Sequence, residues 1–276
     1  KSRFFEIDAV EGPVHVLECG EGRPVVMVPG FGDPAAMWAP LIGSLPGLRC
    51  IAVDRPCFGL SGRAEHSTAK LRQLAVDFLA ETLDALNLDR AVFVANSMGS
   101  LWTMWFGLDQ PDRVVAMAHV GCPAFILGTS APFPMRLMSV RPIGKVLMSL
   151  SPPSRRQVQS FAAMIGEDLS NNPELLDLLV AAQKLPGVQS GIRGLLHAAV
   201  RVRGARPSIA LTRAQHRARH QLPGGVERFR HARRGVMVGQ GDHIETRRRR
   251  RVDQRAGGEV SVGDVGMKVK VDLHEA

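Results

Sequence analysis

The sequence predicts an α/β fold: a mostly parallel sheet flanked by helices, an inserted all-helical lid, and a C-terminal tail that is irregular or disordered. Three observations carry this. Continuous apolar runs at 24–28, 50–53, 91–94 and 114–120 have the length and lack of alternation of strands buried on both faces. Between them lie stretches of helical periodicity, and strands alternating with helices give a parallel sheet covered on both sides. After the fourth run the pattern turns wholly helical.

Taken in order, Phe4–Ile7 and Val14–Leu17 are two short strands joined at Glu11-Gly12-Pro13. Pro24–Val28 is the first buried strand, followed by the glycine-flanked loop Pro29–Asp33 and a helix over Ala35–Leu45, where Trp38, Leu41 and Leu45 share a face. Cys50–Val53 is the second, ending in Asp54-Arg55-Pro56-Cys57-Phe58-Gly59-Leu60-Ser61-Gly62. Leu71, Leu74, Ala75, Phe78, Leu79, Leu83 and Leu86 mark a long amphipathic helix over 68–88. Ala91–Val94 is the third strand, Leu101–Leu108 a helix, and Val114–Val120 the fourth strand. From 125 to 200, prolines punctuate Met-rich helical segments, with longer helices at Val158–Ile165 and Pro173–Gln183. Met-rich faces fill irregular cores and also suit adaptable apolar pockets.

Composition bounds the function. A hydrophobic content of 45% without a long low-complexity tract describes a globular chain. The longest apolar stretch, Val114–Gly128, is broken by His119, Gly121 and Pro123, so no membrane span is expected. No basic region followed by an apolar stretch opens the chain, and Cys19, Cys50, Cys57 and Cys122 are widely spaced. Free thiols in a reducing, cytoplasmic compartment are therefore expected, with no metal and no organic cofactor. The net charge of +9 hides an asymmetry. Residues 1–200 hold 17 basic and 18 acidic side chains, whereas 201–276 hold 18 and 8.

The stretch Val92–Ser100 has the layout of a strand, a sharp turn and a helix, with Ser97 at the apex between the small residues Ala95 and Gly99. A helix N-terminus there favours developing negative charge. Val28-Pro29-Gly30-Phe31-Gly32, the Asp54–Ser61 turn, Ala95-Asn96-Ser97-Met98-Gly99 and the helical insertion follow in one order. Together they resemble the α/β-hydrolase superfamily, in its lid-bearing esterase, carbon–carbon hydrolase and epoxide or haloalkane hydrolase branch, over about residues 3–211. The sequence departs from the usual pattern at Pro29 (usually His), Cys57 (usually Gly) and Ala95 (usually Gly).

The resemblance implies a core over 1–123, a helical lid over 124–205 and the remainder of the core over 206–276. It implies Ser97 as nucleophile forming a covalent intermediate, with the backbone N–H groups of Phe31 and Met98 as oxyanion hole. A serine at the apex disfavours the epoxide and haloalkane chemistries, which use a carboxylate. Ester, thioester, lactone or carbon–carbon cleavage beside a carbonyl remains, on a small acyl or carbonyl substrate.

The acid and base should follow the serine in that order. Val236–Asp242 loosely fits the strand that delivers the acid, making Asp242 and, further on, His274 weak candidates. Arg233-Arg234 and the run Arg247–Arg251 sit where core elements belong. Codons from Thr212 read one base later permit a strand ending in G-T-P-D, and arginine clusters are what GC-rich DNA yields out of frame. The tail from about 212 is thus expected to be frameshifted. Two alternatives stand beside the hydrolase: a catalytically impaired homologue with a binding role or no function, and a basic-tailed nucleic-acid binder. The Arg run has no interleaved aromatics, so no nucleic-acid partner is expected. His119, His15 and His197 are read as structural. Oligomeric state is not encoded legibly.

Overall fold

The computed structural model describes residues 1–120, 131, 133–165, 168–201, 204–205, 236–240, 243–245, 259–261 and 268–270. Strands β1 (Ser2–Phe5), β2 (Val14–Cys19), β3 (Arg23–Val28), β4 (Leu48–Val53), β5 (Ala91–Asn96) and β6 (Val114–Val120) form one sheet with β9 (Val236–Gln240) and β10 (His243–Glu245), in the order β1-β2-β4-β3-β5-β6-β9-β10. Two further hairpins pair β7 (Val200–Arg201) with β8 (Gly204–Ala205) and β11 (Glu259–Ser261) with β12 (Lys268–Lys270). The four central strands β4-β3-β5-β6 are parallel, as their continuous apolar runs require. On one flank β1 and β2 are antiparallel additions. On the other, β9 and β10 form an antiparallel hairpin, and β9 also runs antiparallel to β6.

Alternation along each strand divides the core in two. Val26, Val28, Ile51, Val53, Phe93 and Ala95 face helices α2 (Leu71–Ala85) and α3 (Ser97–Asp109), where Phe78, Leu79, Trp102 and Phe106 are buried. Val25, Met27, Cys50, Ala52, Val92 and Val94 face the other side, against Trp38 and Leu41. The helix expected over 35–45 is shorter than its periodicity suggests: a 3-10 turn at Ala35–Trp38 leads into the single turn α1 (Ala39–Ile42). Pro34 and Pro40 bracket it, and proline disrupts regular i→i−4 pairing within a helix. After β6 come α4 (Phe133–Met138), α5 (Arg141–Leu150), α6 (Arg155–Ile165), α7 (Pro173–Gln183) and α8 (Val188–Ala199). Asn172 caps α7 by accepting from Leu175 N at 3.0 Å.

The carboxyl end of β4 is tied down by a buried polar hub. Asp54 accepts from Ala35 N at 2.5 Å and Leu60 N at 2.8 Å, and its Oδ2 lies 2.7 Å from His15 Nδ1 on β2. His15 Nε2 in turn meets Ser2 Oγ at 2.6 Å, and Ser61 Oγ donates to Asp54 O at 2.7 Å. His15 is thus structural, with partners the sequence did not reveal. His197 Nδ1 lies 3.2 Å from Ser139 O, consistent with a structural role as well.

Two residues of the turn after β4 adopt left-handed backbone. Cys57 has φ +71°, which explains why glycine is the usual residue there; cysteine carries a strain of about 1–2 kcal/mol. Gly59 has φ +54°, and a Cβ on it would overlap the Asp54 carboxylate. Gly59→Ala should therefore destabilise the chain by about 2–3 kcal/mol, read as a lowered urea midpoint at unchanged slope. An unchanged midpoint would show that the hub yields without cost.

Candidate active site

β3 and β5 are adjacent and in register, with Val28 opposite Ala95, so the segments that follow them emerge side by side at the carboxyl edge of the sheet. Ligand sites of open parallel sheets sit at that edge. Ser97 is the first residue of α3 and is half-buried, with φ +46°. A non-glycine residue in that region is uncommon and costs about 1–2 kcal/mol, so the packing around it must enforce it. Gly99 shows how: a Cβ there would lie 2.6 Å from Pro29 O and nearer still to Val28 O, so only glycine lets the first turn of α3 press against the end of β3. Ser100 Oγ donates to Ala95 O at 2.9 Å, closing the turn from below.

Phe31 and Met98 sit on two elements, the loop after β3 and the first turn of α3. Met98 N–H belongs to the unpaired first turn of α3. Phe31 lies in the loop after β3, whose conformation is set from two sides. Asn96 Nδ2 donates to Val120 O at 2.9 Å, and the Asn96 and Asp33 side-chain oxygens both crowd the Gly30 Cα, leaving no room for a Cβ. From the other side Arg55 Nη2 donates to Gly30 O. The Arg55 side chain is fully buried between Phe58 and Trp102, with its guanidinium carbon 5.0 and 5.1 Å from the two ring centres. Because Gly30 C=O and Phe31 N–H share one planar peptide, holding the carbonyl fixes where the N–H points.

Helix α8 crosses both loops. Gly191 abuts Cys57, where an added Cβ would lie 2.5 Å from the Cys57 Cβ, and Ile192 packs beside Gly32. Thr68 Oγ1 donates to Ala198 O at 3.0 Å. Asp242 and His274 lie outside the described residues. The strand leading toward Asp242 is described: Val236 pairs with Val120 and Gly239 with Met117, so β9 runs its carboxyl end toward the edge opposite Ser97.

Three ionisable groups that sequence reading passed over surround the Gly30 loop. Burial raises the Asp33 carboxyl to about 6 against the pull of Arg55. Burial, reinforced by the Arg55 charge, lowers His66 to about 4, and His66 Nε2 has no hydrogen-bond partner among the described residues. Burial also lowers Arg55 to about 10. Their only signal in the sequence is adjacency to the two loops. Among the described residues no cluster of His, Cys, Asp or Glu could hold a metal ion. An open groove of about 610 Å³ lies at the amino ends of β3, β5 and β6, lined by Arg23, Arg90 and Asp112.

Asp33 and His66 pull stability in opposite directions with pH. His66, lowered from 6.5 to about 4, contributes stability that is present above 6.5 and lost as the pH falls toward 4. Asp33, raised from 3.8 to about 6, contributes stability present below 3.8 and lost as the pH rises through 6. The two offset each other across that window. Asp33→Asn should make the chain lose stability on acidification, and His66→Gln should make it gain stability, both measured by urea unfolding at several pH values. Two variants that track the parent would refute both shifts.

Residues 25–268 match the model of the alpha/beta hydrolase family. A 2-hydroxy-6-oxo-6-phenylhexa-2,4-dienoate hydrolase of Comamonas testosteroni is 30% identical over 205 residues, covering 67% of this chain and 70% of that protein. A 2-hydroxy-6-oxo-2,4-heptadienoate hydrolase of Pseudomonas putida is 31% identical over 200 residues, covering 71% and 67%. The solved 2-hydroxy-6-oxo-6-phenylhexa-2,4-dienoate hydrolase of Rhodococcus sp. strain RHA1 superposes with a TM-score of 0.60 at 18% identity, covering 78% of this chain and 77% of that one. The chain belongs to the alpha/beta hydrolase family, and its relatives at about 30% identity are hydrolases.

Proposed function

We propose that this chain hydrolyses a bond next to a carbonyl in a small molecule, using Ser97 as nucleophile, and that the bond is carbon–carbon in a 2-hydroxy-6-oxo-dienoate-type acid. The observation that carries the reading is the left-handed backbone of Ser97 at the junction of β5 and α3, held by the contact of Gly99 with the end of β3. The names of the relatives point to the bond. In this reading Ser97 Oγ adds to the 6-oxo carbon, and the oxyanion lies between the N–H groups of Met98 and Phe31. The carbon–carbon bond then breaks, its electron pair leaving with the dienoate fragment, which takes up a proton. Water releases the acyl group from Ser97 as a carboxylic acid, so the sum is addition of one water. Arg55 serves this step as a positioning residue through the Gly30 carbonyl. Ester, thioester and lactone substrates present the same carbonyl and are the neighbouring choices.

The same reading makes residues 124–205 the lid, since α8 crosses the two loops beside Ser97. It requires a base and an acid; Asp242 and His274 are the candidates the written tail offers. β9 runs its carboxyl end away from Ser97, which counts against Asp242, and the alternative is a tail read out of frame from about residue 212. The nucleotide sequence across codons 205–230 decides this: an unambiguous in-frame read in independent clones refutes the frameshift.

The activity is tested with p-nitrophenyl butyrate and with a 2-hydroxy-6-oxo-dienoate, followed by loss of dienoate absorbance. Ser97→Ala should lower kcat by at least about a thousandfold. Equal rates in parent and variant eliminate Ser97 as nucleophile. Turnover of the ester alone eliminates the carbon–carbon assignment.

A further inference from the structure

Helix α5 turns an apolar face outward. Ile143, Val146, Leu147 and Leu150 recur at the spacing of one helical stripe, and all four are exposed, Leu150 at 76%. Gly144 is the buried residue of this helix, and Met148 packs on the core, so the opposite side of α5 is the one that meets the protein. Phe133 on α4, which packs against α5, is exposed as well, at 62%. Scattered exposed apolar residues need no explanation, but a contiguous stripe of this kind marks an interaction surface.

The charge around the stripe identifies what covers it. Arg141 and Lys145 are exposed on α5 itself, Arg136 lies over the Phe133 ring at 5.7 Å, and Arg156 stands at the start of α6, where its neighbour Arg155 is already paired with Asp177. No aspartate or glutamate occurs between Asp112 and Glu167. A second copy docked face to face here would bring Arg136, Arg141, Lys145 and Arg156 against themselves, with no acid between Asp112 and Glu167 to relieve them. The chain's own tail is equally ill suited, since residues 201–276 carry 18 basic against 8 acidic side chains. A surface that is negatively charged and accepts apolar side chains satisfies both halves of the patch. An amphipathic helix with exposed large aliphatics and flanking Arg and Lys lies in the plane of a bilayer, apolar face among the acyl chains and cations at the headgroups. We propose that the α4–α5 face docks on an anionic lipid bilayer without crossing it; no helix of the described residues is long and apolar enough to cross.

The test is sedimentation of the full chain with large vesicles of phosphatidylcholine, with and without phosphatidylglycerol. The expected result is partition onto the vesicles containing phosphatidylglycerol, weakened by salt. The pair Val146→Ser with Leu150→Ser should lower that partition about tenfold, because two aliphatic side chains no longer enter the bilayer. Both positions are exposed, so this variant should keep the parent's circular dichroism and thermal midpoint. Ser97→Ala should bind as the parent does, which separates docking from catalysis. Equal binding to both vesicle types overturns the proposal. So does undiminished binding of the double variant with loss of binding when Arg247–Arg251 are replaced by Gln, which would assign the attraction to the tail. A concentration-dependent dimer in light scattering that the double variant dissolves also overturns it, in favour of a second copy.

Discussion

Burial of the Arg55 guanidinium is the constraint on which the carboxyl edge of this sheet depends. A buried charge must be paired, hydrogen-bonded or stacked, and removing one partner of such a group typically costs about 3–5 kcal/mol. Arg55 meets the requirement through Nη2, which donates to Gly30 O, and by lying between Phe58 and Trp102, while Nε and Nη1 have no hydrogen-bond partner among the described residues. Those contacts join three elements: the loop after β3, the turn after β4, and α3. Its neighbour Asp54 does the same toward β2 and the 3-10 turn, through His15, Ala35 and Leu60. Two consecutive residues thus tie together the loop after β3, the turn after β4, β2 and α3, and the ionisable neighbours of Arg55, namely Asp33, Cys57 and His66, feel its charge.

The strain at Ser97 is intelligible only against that frame. A left-handed serine persists when surrounding contacts allow it no alternative. Here the first turn of α3 is pressed onto the Val28 and Pro29 carbonyls, while Asn96 ties the end of β5 to Val120 O. Cys57 tolerates a similar backbone because its Sγ is engaged with Ala64 N and O at 3.4 and 3.3 Å. The site region is therefore tied down on its sheet side. The helices that follow β6 carry the segment's cations and its exposed aliphatics together.

The order of elements from β1 to β6 and the serine turn were legible in the sequence because each depends on residues close in the chain. Continuous apolar runs specify strands buried on both faces, helical periodicity specifies the helices between them, and small residues two positions either side of Ser97 specify a tight turn. The partners of His15 and Arg55 were not legible, since their contacts reach 39 and 25 residues away and side-chain identity alone does not say which pairs meet. Strand direction was equally hidden. The run at 236–240 reads as a strand whichever way it points, and only its pairing with β6 shows that it runs antiparallel. The stripe on α5 follows the same rule: its period is written in the sequence, but whether that face turns toward the core or away from it is decided by how α5 packs through Gly144 and Met148. Local spacing determines which elements form; the satisfaction of buried charge and the exclusion of water between distant segments determine how they face one another.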